Sequence, residues 1–523
     1  MAQRVFDSPA QLRARLLEVV SRNGGHLASS LGAVEIAMAL ADVFEPQKDR
    51  VVWDVGHQAY AWKLLTGRDG SFDTLRKLGG ISGFPLPSES PCDAAVAGHA
   101  GVALSVATGF AAARDRRGTD EHVVAVVGDA AMCNGVSLEA LSCLASSREK
   151  VIVVLNDNGV GMCSVAGLFE RAGFRRIGPV DGHDLAALRA AFVEAKGEKL
   201  PVVVHALTRK GRGFGPAEAD PAGWHAVGPF DLRSGEKPTP AVRTWSDAFG
   251  DAVRAVARRD GRVAALTAAM CDGTGLGGFA EEFPDRFFDV GIAEEHMVAF
   301  AAGLAAGGMR PVVAVYSTFL QRAVDQVMHD VCLPNLPVVF CVDRAGVVGA
   351  DGATHQGVFD VAMLRCLPNL AICQPRDEDD MRRLLDEALE RRGPTVIRYP
   401  KGAVAACAEP ASAEDAKIAL WVTGDWMSKA NEVAHMLGGC EVVHARYLKP
   451  FDAERLAAQR ARGMKIVSIE NGCVAGGFGE AVGADMRFGW PDVFIPHGSQ
   501  AELEAEFGLG AADIANTLRR VYG

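Results

Sequence analysis

The chain has 523 residues, 49% hydrophobic and 23% charged, an ordinary globular composition with room for about three domains of roughly 150 residues each. Its net charge of −11 argues against a nucleic-acid or anionic-membrane surface, so an anionic substrate would need a local basic cluster. The 12 cysteines are scattered without a Cys-x-x-Cys pair; they fit neither a zinc site nor a disulfide framework and read as reduced thiols of a cytoplasmic protein. No apolar run approaches membrane-spanning length.

The N-terminal run MAQRVFDSPAQLRARLLEVV carries charges through its apolar pattern and reads as an amphipathic helix rather than a leader. A first region, to about residue 233, alternates helical patterns with apolar runs at Val51–Trp53, Val123–Val127, Val151–Leu155 and Pro201–Val204. Between the second and third runs, Val136, Leu138, Leu141 and Leu144 have helical spacing, which predicts parallel strands buried on both faces and joined by a crossover helix. These strands end in Gly128-Asp129 and Asn156-Asp157-Asn158, on the edge where open α/β sheets take ligands. Asp129 and Asn158 there offer hard oxygens suited to Mg²⁺ carrying a phosphate-bearing cofactor. A helix cap and a turn are the alternative reading.

Four histidines of this region stand beside glycine or small residues: His26 (GGHLASSLG), His57 (DVGHQAY), His99 (AGHAG) and His225 (GWHAV). Together they suggest a lined pocket able to hydrogen-bond a diphosphate or shuttle protons, although a single histidine is more often structural. Lys210 lies on the glycine-rich loop TRKGRGFG, which can close over a substrate or form a solvated turn.

A second region begins near Thr244 and repeats the rhythm, with strands expected at Val263–Thr267, Phe287–Val290, Pro311–Tyr316, Pro337–Val342, Ala371–Gln374 and Thr395–Arg398. DVGIAEEH places Glu294 just inside an Ala-rich helix, Ile292–Gly307, where the helix dipole alone could account for it. Arg322, Arg344, Arg398 and Lys401 near strand ends supply the basic patch that the global charge lacks, with Asp351 and His355 alongside. Arg398, within a strand, reads equally as a core-edge ion pair, so Arg344 and Lys401 are the expected substrate-facing cations. A third, shorter unit has strands near Ala419–Thr423 and Lys465–Ile469. The architecture expected is three consecutive α/β domains with mostly parallel sheets, at 1–235, 236–410 and 411–523.

The segments HLASSLG, DVGHQAY, GGISGF, GHA, LNDN, GPVDGHD, AEADP, DVGIAEEH, YSTFLQRAVDQ, DRAGVVGADGATHQG and RYPKG, with LKPFD, SIENG, GGFG and FIPHGSQ, occur in an order that resembles the 1-deoxy-D-xylulose-5-phosphate synthases. These are thiamine-diphosphate enzymes of the transketolase superfamily. The resemblance implies a homodimer of transketolase-like chains, with pyrophosphate-binding, pyrimidine-binding and C-terminal domains and the cofactor between the first two. It implies decarboxylative condensation of pyruvate with D-glyceraldehyde 3-phosphate, feeding isoprenoid and thiamine biosynthesis, and no nucleic-acid or membrane partner. Glu294 matches the glutamate facing N1′ of the aminopyrimidine. Asp129 and Asn158 match the Mg²⁺ ligands, with the Val160 carbonyl at a third ligand position. His26, His225, Asp351 and His355 fall on catalytic positions. His57, Gly98, His99, Gly128, Ala130, Asn158, Lys210, Phe319 and Arg322 fall on cofactor-binding positions, and Tyr316, Arg322, Arg344 and Lys401 on those lining the acceptor and its phosphate.

The chain also departs from the family. Gly-Asp-Gly is Gly128-Asp129-Ala130, a serine-rich stretch is Ala100-Gly101-Val102-Ala103, and a polar run after LNDN is Gly159-Val160-Gly161-Met162-Cys163. Lys401 replaces an arginine, and a long segment before GPVDGHD is cut to the bridge Gly159–Arg176. The expectation is retained but weaker cofactor binding in a more open pocket. A carboligase with another aldehyde acceptor, a transketolase-like two-carbon transfer and a non-catalytic paralogue are the alternatives.

Overall fold

The computed structural model describes residues 6–147, 149–159, 165–238, 242–404, 409–413 and 415–523. The chain divides into two compact units, Met1–Thr239 and Pro240–Gly523.

The first unit opens on the helix Pro9–Asn23, started by a capping box in which Ser8 and Gln11 satisfy each other's backbone N–H groups. Its sheet contains β1 (Arg50–Trp53), β2 (Val123–Gly128), β3 (Ile152–Asp157), β4 (Arg175–Asp181) and β5 (Val202–Leu207), all parallel, in the order β1-β2-β3-β5-β4. The continuous apolar runs feed two cores at once. Val124, Val126, Ile152 and Val154 pack with the N-terminal helices on one face, and Val123, Ala125, Val127, Val153 and Leu155 with the helices Ala103–Arg117 and Gly135–Ser147 on the other. The crossover helix Gly135–Ser147 forms as the spacing predicts, but its phase differs: Ser137, Ala140, Leu141 and Leu144 are buried, while Leu138 is 41% exposed. β4 has no apolar signature because it is the sheet's edge and mostly faces outward.

The second unit contains β6 (Val263–Thr267), β7 (Phe287–Asp289), β8 (Arg310–Tyr316), β9 (Val339–Asp343), β10 (Ala371–Cys373) and β11 (Thr395–Arg398), then β12 (Ile418–Val422), β13 (Glu441–His444), β14 (Tyr447–Lys449), β15 (Lys465–Cys473) and β16 (Met486–Trp490). One sheet runs β14-β10-β11-β9-β8-β6-β7 and the other β13-β12-β15-β16. All pairings are parallel except β14 against β10, so a strand from the C-terminal part completes the preceding sheet. With the first unit's sheet, this gives three α/β domains. No helix among the described residues is long and apolar enough to cross a membrane, and the described cysteines are free thiols.

Candidate active site

In the first unit, β2 and β3 are in register at Gly128 and Asn156, so Asp129 and Asn158 leave neighbouring strands at the same edge. The Asp129 N–H donates to the Asn156 carbonyl at 3.3 Å, and its side chain is buried. The Asn158 amide oxygen Oδ1 is buried and accepts no hydrogen bond from the described residues. A buried, unsatisfied oxygen costs free energy unless a cation or donor reaches it, so this donor set fits Mg²⁺. Val160, the expected third ligand, lies outside the described residues. Asn156 is spent on structure: its amide nitrogen donates to Gln58 at 2.7 Å, and its oxygen accepts from Thr208.

Three of the four histidines converge. Ring centroids of His57 and His225 lie 5.1 Å apart, of His26 and His225 5.8 Å, and of His26 and His57 6.2 Å, with Phe84 from the GGISGF segment 5.1 Å from His26. Ser29 Oγ is 3.3 Å from His225 Nδ1. Burial, then the neighbouring His225, His26 and Lys210, hold His57 well below the usual imidazole range. Its ring Nδ1 is buried and takes no hydrogen bond from the described residues. Burial also lowers Lys210, against the pull of the nearby Asp129 carboxylate. His99 sits half-buried after Gly98, whose φ of +151° suits glycine.

The departures from the family can be read in this geometry. Ala130 has helical φ and ψ (−64°, −37°), so the backbone there makes no demand for glycine. The 100–103 loop keeps its shape without serines because the Asp54 carboxylate accepts the N–H groups of Gly101 (2.9 Å) and Ala103 (3.0 Å). Ser137 Oγ also donates to the Gly101 carbonyl at 3.2 Å. Gly101 itself cannot be replaced: φ is +91°, and a Cβ would lie 2.3 Å from Asn134 Oδ1.

In the second unit, Glu294 is the first residue of the helix Glu294–Ala306, where the dipole favours a carboxylate. It is only 3% exposed and accepts a hydrogen bond from Arg322 at 3.0 Å. Burial raises the Glu294 carboxyl, and Arg322 opposes that rise without cancelling it. Tyr316 ends β8, opposite Asp343 on β9. Its ring stacks with Phe319 at 5.7 Å, and Phe319 meets His355 edge-on at 5.5 Å. His355 Nδ1 is 2.9 Å from Thr354 Oγ1. Arg344 follows β9 at φ +60°, and its guanidinium carbon lies 3.6 Å from the Tyr316 ring centroid, a cation–π contact. Burial lifts Asp343 to about 6 against the pull of Arg344 and Ser246, with Lys401 adding a weaker pull. Lys401 itself is exposed.

The structure therefore gathers Glu294, Arg322, Tyr316, Phe319, Arg344 and His355 at one sheet edge. Asp351 lies on the loop that precedes His355, and its charge acts on Tyr316. Arg398 takes the core-edge alternative: buried at 1% exposure, it donates Nε to Asp360 at 2.8 Å and NH1 to Asn471 at 2.8 Å. Sequence reasoning overlooked Asp54, Gln58 and Asp343, whose side chains bond to Gly101, Asn156 and Ser246, all distant in the chain.

The family described as 1-deoxy-D-xylulose-5-phosphate synthase matches residues 3–167 and 160–208, in two pieces that meet at the shortened bridge. The transketolase pyrimidine-binding domain family matches 241–406, and the transketolase C-terminal domain family 410–514. The chain is 43% identical to 1-deoxy-D-xylulose-5-phosphate synthase 1 of Geobacter metallireducens over 594 positions, covering 98% of this chain and 95% of that protein. It is 42% identical to the 1-deoxy-D-xylulose-5-phosphate synthase of Desulforudis audaxviator, covering 97% and 93%. An alignment of 594 positions against 523 residues means the relative carries a segment that this chain lacks. Among solved structures, transketolase from Campylobacter jejuni shares the fold, with a TM-score of 0.51 at 18% identity over 98% of each chain.

Proposed function

The chain belongs to the 1-deoxy-D-xylulose-5-phosphate synthase family, and we propose that it condenses pyruvate with D-glyceraldehyde 3-phosphate, releasing CO₂ and forming 1-deoxy-D-xylulose 5-phosphate. Likeness over nearly the whole length to curated synthases carries this reading and favours it over the other acceptors and over a non-catalytic role. The cofactor is thiamine diphosphate with Mg²⁺. When bound, thiamine diphosphate supplies the electron sink that lets pyruvate lose CO₂.

The chain's residues bind, orient and move protons. Asp129 and Asn158 would hold the cation. Lys210, His57, His99 and the backbone at Gly98, Gly128 and Ala130 serve the diphosphate. Glu294 holds a proton at the pyrimidine N1′, and Arg322 sets how tightly; the depth of Glu294's burial and its hydrogen bond from Arg322 support this role. Phe319 would help hold the pyrimidine. His26 and His225 hold and move a proton at the acceptor's carbonyl oxygen, while Asp351 and His355 orient pyruvate. Tyr316, Arg344 and Lys401 orient the acceptor and its phosphate. The homodimeric state, a cytoplasmic location, a contribution to thiamine biosynthesis and the domain limits 1–235, 236–410 and 411–523 belong to the same proposal. Product identification by NMR from ¹³C-pyruvate, with and without D-glyceraldehyde 3-phosphate, tests it. A labelled 1-deoxy-D-xylulose 5-phosphate requiring both substrates is expected; CO₂ release without that product, or no reaction, overturns it.

A further inference from the structure

The GPVDGHD segment and the buried Glu35 have no part in the scheme above, yet they meet beneath Lys210. His183, in the turn after β4, accepts the backbone N–H of Arg209 on Nε2 at 2.9 Å. An accepting Nε2 leaves the proton of a neutral imidazole on Nδ1, and Nδ1 lies 3.1 Å from Glu35 Oε2. Arg13, from the first helix, grips the same carboxylate with both prongs, at 2.8 and 2.7 Å. Its Nε also donates to the Arg212 carbonyl at 2.9 Å and its NH2 to the Leu31 carbonyl at 3.2 Å.

The loop carrying Lys210 is thus grasped on both sides of that residue, at the Arg209 N–H and the Arg212 carbonyl. Between them Gly211 donates to the Ala28 carbonyl at 2.8 Å. A Cβ on Gly211 would lie 2.3 Å from the Ala217 backbone, so the two segments are in close contact. Burial works to raise the Glu35 carboxyl, but hydrogen bonds from His183 and Arg13 outweigh it and hold the group below its ordinary range. Glu35 is therefore a charged, fully engaged hub. The loop is a fixed platform rather than a solvated turn.

We propose that Arg13, Glu35 and His183 form a positioning relay that presents Lys210 to the cofactor's diphosphate. The relay rests on the reading of Lys210 as a diphosphate contact. Partners of this kind, one contact removed from a ligand, are typically worth about ten- to a hundredfold in affinity or activity.

The test is calorimetric titration of the full-length protein with thiamine diphosphate at saturating Mg²⁺, together with amide hydrogen exchange over Arg209–Gly213. His183→Ala is expected to raise the Kd about tenfold or more and to speed exchange at Arg209, while kcat at saturating cofactor changes less than threefold. His183→Gln, whose amide can accept at one end and donate at the other, should restore most of the affinity. Arg13→Lys, which keeps a charge against Glu35 but gives up the fork to Arg212, should also raise the Kd and covers the case in which His183→Ala fails to fold. A Kd within twofold of the parent in both His183→Ala and Arg13→Lys overturns the relay, as does a loss in His183→Ala that His183→Gln does not recover. Lys210→Ala, titrated in parallel, separates the two ideas. If it leaves the Kd unchanged, the reading of Lys210 fails; if it weakens binding while the relay variants do not, only the relay fails.

Discussion

Arg322 donates to the Glu294 carboxylate across 3.0 Å, and both side chains are almost fully buried. Burial lifts the Glu294 pKa and Arg322 restrains it, so the pair sets how firmly the carboxyl keeps a proton. Glu294→Ala should cut kcat by about 10²–10⁴-fold, the span of general acid–base contributions. Arg322→Gln removes the restraining cation, so the limb of the pH profile of kcat/KM for pyruvate that Glu294 sets should move to higher pH. An unmoved limb would mean that Glu294 does not set it.

Asn158 offers a direct test of the cation site. Its Oδ1 takes no hydrogen bond from the described residues, so Asn158→Ala should leave the melting temperature of the cofactor-free protein nearly unchanged. The Mg²⁺ concentration needed for half-maximal cofactor binding should rise by at least about tenfold, the lower end of what supporting partners of metal ligands contribute. Thermal melts of the cofactor-free protein measure the first effect, and tryptophan fluorescence during Mg²⁺ titration at fixed thiamine diphosphate measures the second.

Lys401 presents a point charge where the resemblance implies a forked guanidinium. Lys401→Ala should raise the KM for D-glyceraldehyde 3-phosphate about ten- to a hundredfold, as expected from the roughly 1.5–3 kcal/mol of a hydrogen bond to a charged group, with little change in the KM for pyruvate. Lys401→Arg should lower the acceptor KM. Steady-state kinetics with each substrate varied in turn would reveal a residue that does not touch the phosphate.

His57 couples the pocket to acid stability. Folded, it is held well below 6.5 by burial and by its histidine and lysine neighbours; unfolded, it returns to about 6.5. Below that value the unfolded chain binds a proton that the folded chain refuses, so the contribution is intact above pH 6.5 and is lost as the pH falls further. Melting temperatures of the cofactor-free protein between pH 7.5 and 5 should fall less steeply for His57→Asn than for the parent. Equal slopes would show that His57 is protonated in the fold.

Much of this was legible from the amino acids. Strands such as β2, β3, β8 and β12 announce themselves because residues on both their faces are buried. Glu294 is legible as a helix-opening residue after a short strand. The edge strands β4, β13 and β16 carry exposed or half-buried positions that break the apolar pattern. β14, at three residues, is too short to have one. Leu138 misleads because small residues, Ser137 and Ala140, let the crossover helix lie close to its sheet on a different face. His183 and Glu35 are 148 residues apart, and neither has a local pattern that points to the other.

The antiparallel pairing of Tyr447–Lys449 with Ala371–Cys373 also governs how the molecule can be dissected. A fragment ending near residue 406, the limit of the pyrimidine-binding family match, would strip a strand from its own sheet and leave Ala371–Cys373 as a bare ladder open to other chains. It would also take Asn471 from the buried Arg398 guanidinium, leaving only Asp360 and Gln374 to hold it. The second and third domains are thus woven together, and separating one from the other takes a strand out of a finished sheet.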